Sequence, residues 1–202
     1  MSGQVHIVDD DEPVRESLAF LCQTDGLKAA TYSSPLALLE AASTLREGCI
    51  VTDVRMPQMD GLTLIARLHE RGVRLPMVVM TGHGDVPMAV AAMKAGAVDF
   101  LEKPFDDEIF LTTVRDALVR SERGAAPRAA AAEGLEGKLA LLSERERQVL
   151  DRLVDGEANK VIALNLGISP RTVEIYRAKV MTKMEAASFA DLIRTVVAGR
   201  SG

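Results

Sequence analysis

Short β-branched apolar runs alternate with amphipathic segments through residues 5–121. Val5-His6-Ile7-Val8 is such a run; it stops at Asp9-Asp10-Asp11-Glu12, and Pro13 opens a pattern with Val14, Leu18, Leu21 and Cys22 at helical spacing. This predicts a strand and then a helix, which Gly26 ends. Residues 28–32 read as a weaker strand and 35–45 as an apolar helix. Residues 49–53, 77–80 and 98–101 read as further strands, with helices over 62–70, 86–95 and 106–121. Five strands alternating with five helices predict an α/β doubly wound, mostly parallel five-stranded sheet.

The pattern then breaks. Residues 124–137 (GAAPRAAAAEGLEG) are Ala-rich with glycines at both ends, and read as a linker whose middle could be helical. Beyond it, Ser143 to Glu146 has capping-box spacing, and Val149, Leu150, Leu153 and Val154 form one apolar face before Gly156. Asn159 is placed to cap a second helix carrying Val161, Ile162 and Leu166, which Gly167 stops. Ser169-Pro170 starts a third helix, through Met184. A short helix, a Gly turn and a longer helix make a small all-α helix-turn-helix domain. The expected division is 1–123, a linker over 124–138, and 139–202.

The third helix can be sided. Val173, Tyr176, Val180 and Met184 fall on one stripe and should pack inward, leaving Arg171, Glu174, Ile175, Ala178 and Thr182 outward. Such a face, flanked by Lys179 and Lys183, suits a helix in the major groove of DNA. Ile175 and Ala178 can meet thymine methyls, and Arg171, Lys179 and Lys183 can meet phosphates. Arg177 lies nearer the inward edge, where a pair with Glu144 or Glu146 competes with a phosphate contact.

In a doubly wound sheet, ligands bind outside the carboxyl ends of the strands. Asp9 and Asp10, Asp53, Thr81 and Lys103 all fall there. Clustered carboxylates repel unless a cation neutralises them, and an all-oxygen set suits a hard ion, Mg²⁺ or Mn²⁺. Asp53 is then the expected nucleophile, forming an acyl phosphate, with Lys103 and the Thr81 hydroxyl holding phosphoryl oxygens. Singly, each has a plainer explanation: a helix cap for Asp9 to Asp11, a solvated lysine, a strand-end hydroxyl. Their coincidence at successive strand ends favours chemistry. His83, between glycines, reads as a loop residue.

Charge supports two partners. Residues 1–123 carry 12 basic and 19 acidic side chains, whereas residues 138–202 carry 11 basic and 8 acidic, within a chain of 202 residues and net charge -5. An acidic first part and a mildly basic second part leave nucleic acid as a partner for the second alone. Cys22 and Cys49 have neither disulfide-framework nor metal-ligand spacing and are expected to be buried apolar residues. The N-terminus lacks a secretory pattern, and no apolar run reaches the ~18 residues of a membrane span. The expectation is a soluble, cytoplasmic protein without a membrane partner.

Val8-Asp9-Asp10, Asp53 with Met56-Pro57 and Gly61, Thr81-Gly82 and Lys103-Pro104-Phe105 together resemble the receiver domain of two-component response regulators, over residues 4–122. The resemblance implies a flavodoxin-like fold and phosphorylation of Asp53 by a partner histidine kinase. It also implies a metal held by Asp10, Asp53 and the backbone carbonyl of Arg55 with Asp9 assisting, a cis bond before Pro104, and switch roles for Thr81 and Phe100. Asp11 has no separate role in that pattern. Residues 82–90 and 92–100 resemble the FixJ subfamily. That implies phosphorylation-dependent homodimerisation through the fourth helix and fifth strand, with Val90, Lys94 and Ala97 as interface candidates.

Ser143-x-Arg145-Glu146, Asn159-Lys160-x-Ile162-Ala163, Leu166-Gly167-Ile168-Ser169 and Arg171-Thr172-Val173-Glu174 resemble the LuxR-type DNA-binding domain over residues 139–199. This implies Lys160 near the DNA backbone, the third helix (Arg171, Thr172, Glu174, Ile175, Arg177, Ala178, Lys179, Lys183) as the reader, and a fourth helix, 188–197, as a dimer contact. Tyr176 departs from the pattern, where relatives commonly carry histidine. The expected function is a phosphorylation-activated transcription regulator acting on double-stranded promoter DNA, with RNA polymerase as a further partner. The rival readings are an aspartate-dependent phosphatase, which needs an acid where Arg55 stands, and an interaction switch without DNA.

Overall fold

A computed structural model describes residues 3–82, 86–123 and 135–200. The expectations for His83 and for residues 124–134 lie outside the described residues. The described chain divides into two compact units, 3–82 with 95–123 and 86–94 with 135–200.

In the N-terminal half the strands are β1 (Gln4–Val8), β2 (Lys28–Tyr32), β3 (Gly48–Asp53), β4 (Met77–Thr81) and β5 (Asp99–Glu102). They alternate with α1 (Glu12–Thr24), α2 (Pro35–Glu40), α3 (Gly61–Glu70), α4 (Val86–Ala95) and α5 (Asp107–Arg123). The sheet is parallel throughout in the order β2-β1-β3-β4-β5, so the doubly wound expectation holds. The predicted second helix is shorter than its apolar pattern: it ends at Glu40, and Ala42–Thr44 forms a separate 3₁₀ turn.

Because side chains alternate along a strand, the sheet buries two different sets of residues. Val5, Ile7, Cys49, Val51, Val78 and Met80 pack with Leu18 and Cys22 of α1 and Phe110, Val114 and Leu118 of α5. Each fully buried Leu- or Phe-sized side chain contributes ~1.5–3 kcal/mol, which is why this face is apolar without interruption. Cys22 and Cys49 are free and buried here, as expected, and burial pushes their thiols up to about 11 and about 12. Between those positions His6 and Ile50 alternate in sequence. His6 is buried with its Nδ1 3.3 Å from the Tyr32 hydroxyl, and burial lowers its pKa.

Local chemistry sets the helix starts. Asp11 caps α1 by accepting the Val14 N–H, Ser34 caps α2 through the Ala37 N–H, and Asp60 caps α3 through the Thr63 N–H at 2.6 Å. Asp11, the acid without a role in the receiver pattern, is thus the structural cap of the acidic run.

The C-terminal half is helical: α6 (Leu135–Ala140), α7 (Glu144–Val154), α8 (Asn159–Leu166), α9 (Pro170–Lys183) and α10 (Phe189–Arg200). Residues 135–138, given to the linker on composition, begin α6. There Leu135 is buried against Gly199, and Lys138 pairs with Glu185 and donates to the Met184 carbonyl. The capping box at Ser143 and Glu146 is formed on both sides. Asn159 does not cap α8: the cap position is Ala158, and Asn159 is already the first helical residue. Its neighbour two residues before Lys160 takes that place because the extended backbone that a cap requires falls at residue 158. Gly167 closes α8 at φ 65°, a left-handed conformation that glycine takes without steric cost, and Ser169 then caps α9. That pair of residues makes the tight turn between α8 and α9.

Glu146 does more than cap. Its buried carboxylate accepts from Lys183 Nζ at 2.7 Å, and Lys183 also donates to the Leu141 carbonyl at 3.0 Å, tying the end of α9 to the start of α7. The Lys183 hydrogen bond, with the Ser143 backbone N–H, lowers the Glu146 pKa to about 2. A carboxyl whose folded pKa lies below its ordinary 4.5 stabilises the fold fully above that pH, and the contribution disappears as pH falls toward about 2. In amide hydrogen exchange on the full chain, corrected for intrinsic rates, α7 and α9 should lose protection across this window. Glu146→Gln should be less protected at neutral pH and lack that loss; a variant profile matching the wild type would exclude the role.

Candidate functional site: a strand-end acid cluster and a helix-turn-helix face

The topology assembles the N-terminal site. β1, β3 and β4 are neighbours in the sheet, and each delivers a polar residue at its carboxyl end. Asp9 follows β1, Asp53 is the last residue of β3, Thr81 is the last of β4, and Lys103 follows β5. Register sets their height: Asp53 lies opposite Met80, one residue before Thr81, and Thr81 lies opposite Glu102, one before Lys103.

Lys103 joins them. Its Nζ donates to Asp53 Oδ1 at 2.5 Å and to Asp9 Oδ2 at 3.1 Å. Burial works against the ammonium, yet the hydrogen bonds and charges of Asp53 and Asp9 outweigh it, and the Lys103 pKa is held above that of a free lysine. The second oxygen of each acid is also engaged: Asp53 Oδ2 accepts the Arg55 N–H at 2.6 Å, and Asp9 Oδ1 accepts the Asp11 N–H at 2.9 Å. Asp9 is buried, at 2% exposure, while Asp10 and Arg55 are exposed and Asp53 lies between these extremes. Thr81 is buried and its hydroxyl lies 3.4 Å from the Gly82 carbonyl; Phe100 is half-buried on β5. The Lys103–Pro104 peptide is cis, as the receiver resemblance implied.

The backbone near Asp53 leaves no room for side-chain bulk. Gly61 N–H donates to the Val54 carbonyl at 2.8 Å, and a Cβ on Gly61 would collide with the Asp53 backbone carbonyl. The glycine that marks the turn in the sequence therefore lets α3 start directly against the acidic strand end.

Among the described residues no three His, Cys, Asp or Glu side chains converge into a ready-made metal cage. The oxygen donors fit a small hard cation nonetheless. Mg²⁺ demands octahedral geometry, keeps several of its waters, and takes only one or two carboxylates from the protein. Asp10 is exposed and Asp53 partly exposed at the carboxyl ends of β1 and β3, so these carboxylates suit an ion that keeps part of its water shell.

In the C-terminal half, periodicity sided α9 correctly for three residues. Val173, Val180 and Met184 are buried, whereas Tyr176 is half-buried, with Lys179 Nζ 5.8 Å from its ring centre. Arg171, Glu174, Ile175, Ala178 and Lys179 are exposed, Ile175 at 51%, and Lys160 on α8 is exposed as well. Thr172 is half-buried beside the Ser169 cap, which accepts its N–H. Arg177 stacks over the Phe189 ring at 4.1 Å, a cation–π contact with α10. The Glu146 carboxylate considered for Arg177 is held by Lys183, so Lys183 spends its ammonium within the domain. Val90 and Ala97 are buried and Lys94 is exposed.

Sequence reasoning did not find Arg15, whose Nη1 donates to the Asp9 backbone carbonyl at 2.7 Å. A helical arginine carries no spacing signal that distinguishes such a bond from a solvated side chain.

Comparison with known proteins agrees with this geometry. Residues 5–115 match the response regulator receiver domain family, and residues 140–196 match the luxR family of bacterial regulatory proteins. The chain is 57% identical over 191 residues to the transcriptional regulatory protein FixJ of Azorhizobium caulinodans, covering 94% of this chain and 90% of that one. It is 50% identical to FixJ of Rhizobium meliloti over 201 residues, covering 98% and 97%. Its structure resembles full-length FixJ from B. japonicum, with a TM-score of 0.59 at 44% identity and coverage of 100% and 99%. No described helix is long and apolar enough to cross a membrane. The chain belongs to the FixJ-like response regulators, phosphorylation-activated transcription regulators of two-component systems that join a receiver domain to a luxR-type DNA-binding domain.

Proposed function

We propose that Asp53 is the phosphoacceptor and that its modification gates DNA binding by α9. The observation that carries this is the Lys103 bridge, which holds the Asp53 carboxylate at an open strand edge. In the transfer, an Asp53 carboxylate oxygen attacks phosphorus, the P–N bond to the kinase histidine breaks, and the imidazole leaves with the bonding electron pair. Lys103 stays beside the new phosphoryl oxygens, offsetting charge that the acid cluster alone would repel. A bound Mg²⁺ or Mn²⁺, held by Asp10, Asp53 and the Arg55 carbonyl with Asp9 assisting, supplies further charge neutralisation.

Thr81, one position along the neighbouring strand, is the hydroxyl that turns toward the phosphoryl group. Phe100, half-buried on β5, is the ring that follows it inward. Val90, Lys94 and Ala97 then serve a homodimer contact. Since Val90 is 2% exposed here, that contact requires a change that uncovers it. The protein turns over no external substrate: Arg55 stands two residues beyond the nucleophile, where an aspartate-dependent phosphatase needs its second acid.

The output is promoter recognition in the cytoplasm, followed by contact with RNA polymerase. Arg171, Lys179 and Lys160 meet phosphates, Thr172 and Glu174 stand at the leading end of the helix, and Ile175 with Ala178 reads thymine methyls. Arg177 and Lys183 contribute chiefly by seating α9, given their contacts with Phe189 and Glu146.

Asp53→Asn should abolish labelling by acetyl phosphate and the accompanying rise in promoter affinity, read by Phos-tag gel and fluorescence anisotropy; retention of both would refute the gate. For the reader helix, Lys160→Ala should weaken binding to all duplexes alike and reduce the salt slope by about 1. By contrast, Ile175→Ala should weaken binding to the cognate site, by roughly 0.8 kcal/mol for each methyl or methylene it no longer buries, and leave non-specific binding intact. Equal losses on cognate and random DNA would remove Ile175 from base readout.

A further inference from the structure

We infer that Arg15 is a positioning residue for the cation and phosphoryl site, setting the direction in which Asp10 presents its carboxylate. This rests on the assignment of the strand-end cluster as a phosphoacceptor site and adds to it a residue on α1.

Arg15 reaches back six residues to place Nη1 2.7 Å from the Asp9 backbone oxygen. That oxygen belongs to the peptide group joining Asp9 to Asp10, so the bond fixes the plane of the peptide from which Asp10 departs. The same turn is pinned at two further points. The Asp9 N–H donates to the Tyr32 carbonyl at 3.3 Å, and the Asp11 N–H donates to Asp9 Oδ1 at 2.9 Å. Asp9 itself is immobilised by Lys103, whereas Asp10 is exposed and takes its orientation from the backbone on either side. Arg15 is half-buried, and its own N–H is used within α1, donating to the Asp11 carbonyl at 3.0 Å. A peptide oxygen at an open edge would be satisfied by water; a planar guanidinium adds a fixed direction that water does not.

Two effects of Arg15 oppose one another. Its charge repels an incoming cation, while its hydrogen bond preorganises the acids that receive one. Charge at a partly exposed site is screened, but the direction of a carboxylate decides whether it can share an octahedral ion at all. Geometry should therefore dominate, and loss of Arg15 should weaken cation binding.

The test uses the unphosphorylated full chain and Mg²⁺ alone, titrated by NMR on the Asp10 and Asp11 amides. Arg15→Met, which keeps the aliphatic stem, should raise the Mg²⁺ Kd about tenfold, within the range seen when groups supporting metal ligands are removed. Arg15→Lys, which retains the charge and a donor but not the planar fork, should recover only part of the loss. Acetyl phosphate labelling of Arg15→Met should be slow at limiting Mg²⁺ and approach the wild-type rate at saturation, a split that general destabilisation would not produce. An unchanged or tighter Mg²⁺ Kd in Arg15→Met overturns the inference. If instead Asp53→Asn is labelled as well as the wild type, the acceptor assignment fails, whatever the titration gives.

Discussion

Like charges forced together at one edge of a sheet are the constraint on which the N-terminal half is built. Asp9 and Asp53 end adjacent parallel strands, and a parallel sheet offers no means of separating residues that register places side by side. Lys103 resolves the repulsion by donating to both acids from the far side of β4. The arrangement remains responsive because the compensation is partial. Asp10 stays exposed, and Asp53 receives one hydrogen bond on each carboxylate oxygen, from Lys103 Nζ and from the Arg55 N–H.

The rest of that half holds this edge rigid while leaving it open. Helix caps at Asp11 and Asp60 fix the two loops that flank the acids, and Gly61 lets α3 begin against the Asp53 backbone. Along the same face of β1 and β3, the apolar core that includes Val5, Ile7, Cys49 and Val51 anchors the strands that end in these acids. The site is thus precise because its members sit on or beside strands, with loops supplying access.

The C-terminal half uses the same economy of charge for a different end. Glu146 closes a capping box and then pairs with Lys183, so one carboxylate fixes both the start of α7 and the end of α9. Arg177 is drawn to Phe189 on α10. Two of the basic residues of α9 are therefore structural partners, whereas Arg171, Lys179 and the apolar Ile175 stay exposed together with Glu174, Ala178 and Thr182.

The sequence alone determined the order of elements, the doubly wound sheet, the capping box, the turn at Gly167 and the residues at the strand ends. These follow from periodicity, caps and glycine conformation, which are local properties of the chain. It overran α2, because an apolar pattern does not record where a helix gives way to a 3₁₀ turn. It also misplaced the α8 cap by one residue, because Ala158 supplies the extended backbone without supplying a side-chain acceptor. What only the tertiary structure decided is which charged group meets which. Lys103 reaches Asp9 across 94 residues, Lys183 reaches Glu146 across 37, and Arg15 finds a backbone oxygen instead of a carboxylate. Long, flexible side chains carry no periodic signal about their partners, and their pairings are set by the packing of the elements that bear them.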